Sequence, residues 1–176
     1  SSKNAEFGGR LSPNIPGADL SFLYFNYFDR APVYVSNQNN GLNEIAGKHY
    51  RIETLGTTLS LPVSTCVLRS ELLYHLGKQF TFFDGALNSF KSNQFVGVLG
   101  LDYIVGDRWR VGIQVSENYR TRTVPGALEL SSTQLITSHG SFTLTQDHIF
   151  DLLIAYAPHD GSSLTEISYT IPLSKR

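Results

Sequence analysis

Long apolar runs are missing from this chain, and so are the usual marks of a water-facing surface. No stretch approaches the ~20 consecutive apolar residues of a membrane helix, so helical spans are excluded. Only 16% of residues are charged, well below the ~25% of ordinary soluble proteins. There is one cysteine, Cys66, which excludes an intramolecular disulfide, a redox pair and a structural zinc cluster. The net charge is −1 with no basic run, so no phosphate-tracking stripe exists and nucleic acid is not expected as a partner. Initiator methionine and signal peptide are both lacking, and "SSKNAEFGGR" reads like the middle of something. The expectation is a piece of a longer chain, and cytoplasmic residence does not follow.

What is present is alternation. In "GLDYIVGDRWRVGIQVSENY" (100–119) every second residue is large and apolar: Leu101, Tyr103, Val105, then Trp109, Val111, Ile113 and Val115. The residues between are small or polar, as in a strand with two unlike faces. Such segments recur, bounded by Gly, Pro, Asn and Asp. The pattern predicts strands near 5–12, 18–29, 50–62, 66–76, 94–105, 109–119, 132–144, 148–157 and 162–171. Most match the ~9–11 residues of a tilted membrane strand.

The connections alternate in length. Those at 13–17, 63–65, 106–108 and 145–147 are short, and those at 30–49, 77–93 and 120–131 are long. Transmembrane barrels have this asymmetry, with tight turns on one side and long loops on the other. The connection at 158–163 is shorter than the pattern predicts. The expected fold is all-β: an antiparallel up-and-down meander of about eight to nine strands, of outer-membrane barrel type, partial or incompletely closed. Residues 1–176 form a single barrel segment in this reading.

Register follows from the turns. A three-residue turn at Gly106–Arg108 sets Val105 opposite Trp109, Tyr103 opposite Val111, Leu101 opposite Ile113 and Leu99 opposite Val115. Asp102 then meets Gly112, and Gly100 meets Gln114, on the other face. A turn at 145–147 likewise pairs Leu144 with His148, Phe142 with Phe150 and Gly140 with Leu152. A one-residue slip would scramble both faces.

Alternation alone does not say which face meets a core. Three features favour apolar-out. The polar faces hold Gly, Ser, Thr and Gln with scattered charges, whereas a solvated sheet would carry more Lys and Glu. Tyr103 and Trp109 sit beside a short turn on the apolar face, where an interfacial aromatic girdle belongs. Arg69, Glu71 and His75 share one strand face, opposite Leu68, Leu72, Tyr74 and Leu76. The residues expected to line a lumen are Arg69, Glu71, His75, Asp102, Arg110, Gln114 and Glu166. Those expected to face lipid are Tyr103, Trp109, Val111, Ile113, Phe142 and Phe150.

The segments "GVLGLDYIVGDRWRVGIQVSE", "LRSELLYHLGKQF" and "EFGGRLSPNIPGADLSFLYFNYFDRAPV" resemble a proteobacterial outer-membrane β-barrel family filed as domain of unknown function thirteen-oh-two. The resemblance covers most of the chain and rests on strand motifs. It implies a section of a larger barrel in the outer membrane of a Gram-negative bacterium. It also implies handling of lipid-like or hydrophobic compounds alongside an exporter of the RND type, and offers no catalytic residue. The chain departs from a complete barrel by its odd strand number and by ending on "ISYTIPLSKR" rather than on Phe or Trp.

Catalytic and metal chemistry find little support. His139 and Ser141 share a strand face, but no oriented acid partner is evident, so lumen lining is the expectation rather than acyl transfer. His49, His75, His139, His148 and His159 show no metal spacing. The glycines of "GVLGLDYIVG" precede no helix, so a nucleotide loop is excluded. Gly97, Gly100 and Gly112 read instead as sites of curvature or close approach. No metal or cofactor is expected. In "FTFFDGALNSF" (80–90) Asp84 caps an expected short helix over 85–91, with Phe80, Phe83, Leu87 and Phe90 as an apolar cluster at the rim. The expected function is a non-enzymatic outer-membrane channel or transport pore, with membrane lipid and a hydrophobic small solute as partners. The rival is a soluble lipocalin-like barrel with Leu101, Ile113, Phe142 and Phe150 around a ligand.

Overall fold

A computed structural model describes residues 5–39, 42–145 and 148–171. Among them there is no helix. The strands are β1 (Phe7–Leu11), β2 (Asn14–Ile15), β3 (Ala18–Phe28), β4 (Val33–Asn39), β5 (Leu42–Lys48), β6 (Arg51–Val63), β7 (Cys66–Phe83), β8 (Leu87–Val105), β9 (Trp109–Arg120), β10 (Ser132–Thr145), β11 (His148–Ala157) and β12 (Ser162–Thr170).

One antiparallel sheet runs in the order β1-β3-β6-β7-β8-β9-β10-β11-β12, with β2 also on β3, and β4 pairs β5 separately. Every neighbour on the main path is antiparallel. β1 and β12 do not meet, so the sheet is open. The accessible surface is 12309 Å², against roughly 8,500 Å² for a compact protein of this size. Most of the chain is therefore one layer thick.

The expected strands stand where the alternation put them, and the β8–β9 register matches at all six expected pairs. Gly106 takes φ +59 in that turn. Three expectations are corrected. There is no helix over 85–91: β7 and β8 run past the expected loop to a turn at residues 84–86, pairing Phe80 with Phe90 and Phe83 with Leu87. Cross-strand pairing of bulky apolar residues outweighs a one-turn capped helix, which is costly to nucleate. The 30–49 connection is not loop throughout but holds the β4–β5 hairpin. Finally, His148 pairs with Thr145, not Leu144. A bulge between Thr143 and Thr145 takes up Leu144, while Phe142–Phe150 and Gly140–Leu152 hold as expected. Gln146 and Asp147 lie outside the described residues.

The small core sits at the long-loop end. Phe80 is 1% exposed, Ile52 2%, Val33 6% and Val35 8%. The β4–β5 hairpin is fastened to the β7–β8 tip there. The Tyr34 N–H donates to Thr81 Oγ1 (3.1 Å), and the Leu87 N–H to Ser36 Oγ (3.0 Å).

Candidate functional site

Tracing the register across the sheet sorts the named residues. Arg69, Glu71, His75, Asp102, Arg110, Gln114 and Glu166 fall on one face, the polar face. Tyr103, Trp109, Val111, Ile113, Phe142 and Phe150 fall on the other, apolar face. On β8 and β9, Val98, Gly100, Asp102 and Gly112 are partly or fully buried, whereas Leu99, Leu101, Tyr103, Val111 and Ile113 are all more than 40% exposed.

Three ionisable groups on the polar face are brought together. Asp102 on β8 stands opposite Gly112 on β9, which stands opposite His139 on β10. The Asp102 carboxylate meets Arg69 from β7 at 2.6 Å and His139 Nε2 at 3.7 Å. This contact spans β9 only because position 112 has no side chain. A Cβ there would collide with His139 Cε1 and lie 2.6 Å from Asp102 Oδ1. Two adjoining depressions share these residues. One of about 230 Å³ includes Val67, Ile104 and Arg110, and one of about 140 Å³ includes Glu71, Val98 and Gln114.

Glu166 borders a further depression of about 150 Å³ together with His139, and His75 stands apart. His75 Nδ1 bonds Thr54 Oγ1 at 2.7 Å, and Glu166 lies opposite Leu153 near the far edge. Among the described residues no hydrogen bond joins Ser141 to His139, and no group of three or more His, Cys, Asp or Glu is set to hold a metal. Within its own strand His139 has no acid beside it. Asp102 is the acid it meets, but finding it requires the register of three strands, and the β9–β10 connection is too long to fix one.

A second feature lies on the apolar face. Tyr24, Leu55, Tyr74, Phe95 and Tyr119 are successive register partners across β3, β6, β7, β8 and β9. Trp109, Phe142, Phe150 and Tyr169 form the corresponding row across β9 to β12 beside the short turns. The Trp109 and Phe142 rings are 4.3 Å apart. Asn26, Arg51, Glu53, Lys91 and Asn93 collect at the long-loop end, around a depression of about 370 Å³. Alternation within single strands showed only Tyr103 and Trp109, because such rows run across strands. No family model, curated protein or solved structure matches this chain.

Proposed function

We propose that the chain is a section of the wall of a Gram-negative outer-membrane β-barrel. It passes small apolar or lipid-like solutes and catalyses no reaction. The observation that carries this reading is an uncovered apolar face bracketed by two aromatic rows. Trp109 and Tyr119 are ten residues apart on the same face of β9. That is about 33 Å along a strand. At a tilt of ~40° it is about 25 Å of height, the apolar band of an outer-membrane barrel. The face between carries Val111, Ile113 and Val115, with Glu117 next to the upper ring. Aromatic rings favour the two interfaces because they are apolar bodies with polar tips.

In water, an apolar surface of this extent would be a strong drive to associate. Against lipid it costs nothing. The polar side would then be the lumen, with Arg69, Glu71, His75, Asp102, Arg110, Gln114 and Glu166 setting its field. A lipocalin-like barrel would set the apolar face inside, around a ligand. An RND-type exporter as partner rests on the family resemblance alone.

Trp109 is the single tryptophan, which makes the test direct. The chain is reconstituted into vesicles containing brominated lipid, and its fluorescence is read. Strong quenching is expected from bromines near the interface. Unquenched, blue-shifted emission in plain buffer would put Trp109 in a protein core and end the membrane reading.

A further inference from the structure

Strands β9 and β10 are neighbours, yet residues 121–131 between them take a detour. The Thr121 N–H donates to the Asn93 carbonyl (3.0 Å) on β8. Further on, the Phe83 N–H donates to the Gly126 carbonyl (2.8 Å), and the Leu128 N–H to the Thr81 carbonyl (3.1 Å), both on β7. The segment then returns, and the Arg120 N–H donates to the Ser131 carbonyl at 2.8 Å. β8 lies between β7 and β9, and the Arg122 N–H donates to Ser92 Oγ (3.0 Å) on β8, which marks the route across it.

Arg120 identifies the face. It pairs with Gln94, on the polar side of the sheet, and is 3% exposed. Its guanidinium lies 4.6 Å from the Phe80 ring and 5.4 Å from the Phe90 ring. Its Nη2 donates to the Glu129 carbonyl at 2.6 Å. A guanidinium sealed between two rings and the segment's backbone ties that segment to the polar face. Gly126 fits the close approach: it takes φ +77, and a Cβ there would collide with the Phe83 carbonyl oxygen. The most exposed large apolar side chains of the strap are Leu128 (61%) and Leu130 (53%).

We propose that residues 121–131 are the constriction of the passage. The strap narrows the polar groove at the long-loop end and offers Leu128 and Leu130 to the solute, with Arg120 as the positioning residue. This rests on the pore reading above. It gives that pore a preference that its polar wall alone would not supply: solutes with an apolar body over solutes of equal charge without one.

The test uses planar bilayers holding the closed barrel to which this wall section belongs, reading single-channel conductance and the benzoate-to-acetate permeability ratio from reversal potentials. The first variant replaces residues 123–130 by a short Gly-Ser linker. The second, Leu128→Asn with Leu130→Asn, alters only exposed side chains and so keeps the fold. The shortened strap is expected to raise conductance by about two- to threefold. The double variant is expected to conduct like the parent and to lose the benzoate preference. A shortened strap with parental conductance, or a double variant that keeps the preference, overturns the constriction and leaves the pore. No conductance from the parent or either variant overturns the pore reading, and the constriction with it.

Discussion

A glycine in the middle of a strand normally weakens it, because nothing packs at that position. Gly112 is different, since its missing side chain is what lets Asp102 and His139 meet across β9. Gly112→Val should displace both groups and cost about 1–3 kcal/mol in unfolding experiments, as overpacking does. Gly140→Ala is the control: a Cβ there meets nothing within 4 Å, so stability should hold within about 0.5 kcal/mol. Equal losses in the two variants would mean that Gly112 serves backbone flexibility alone. The ion pair itself is a modest source of stability. The Arg69 side chain is 64% exposed, and exposed pairs contribute about 0–1 kcal/mol. On the proposed pore reading, its weight lies in the field it sets in the lumen. Asp102→Asn leaves Arg69 unbalanced, so the reversal potential in a salt gradient should move toward anion selectivity. An unmoved potential would take Asp102 out of the conducting path.

At the scale of the strand, one substitution should cost several kcal/mol or almost nothing depending on parity. Ile113 and Gln114 are neighbours on β9 but lie on opposite faces. On the proposed membrane reading, Ile113→Lys should destabilise the chain in vesicles by about 2–4 kcal/mol, the cost of a cation facing lipid near mid-bilayer. Gln114→Lys should change stability by about 0.5 kcal/mol or less. Urea unfolding in vesicles compares them directly, and a reversed order would turn the sheet inside out. The same parity explains what could be read beforehand. The main strands were legible because unlike faces force period two, and the β8–β9 register because its turn is short. The β7–β8 tip was misread, since Phe80, Phe83, Leu87 and Phe90 also recur at helical spacing. The better clue was mirror symmetry about Gly85, which pairs Phe80 with Phe90 and Phe83 with Leu87. The β4–β5 hairpin lacks a consistent apolar face in sequence, and its tip mixes Asn and Gln with little else. The path of residues 121–131 was illegible for another reason: tertiary contacts with β7 and β8 set it, and local propensity does not.

For the molecule as a whole, the decisive property is the parity of the meander. Nine strands on the main path, each antiparallel to the last, leave β1 and β12 running in the same direction. Closing this sheet on itself would require a parallel seam, whereas antiparallel barrels in a single chain use even numbers. An odd number of further strands would restore an antiparallel seam, and until then both edges offer unpaired N–H and C=O groups. The edges differ in how they are defended. The β1 edge is short, carries Arg10 and is interrupted at Pro13 before β2. The β12 edge runs for nine residues with Glu166 as its one charge and no proline. Association in detergent-free buffer should therefore proceed through β12. Proline placed singly at positions 163 to 169 should give a period-two result. Where the N–H points to the free edge, proline should suppress association in light scattering and leave the β-sheet circular dichroism intact. Where the N–H bonds to β11, it should unfold the edge instead, because it removes a ladder hydrogen bond. Association that persists through the whole series would move the contact off β12 and onto the apolar face.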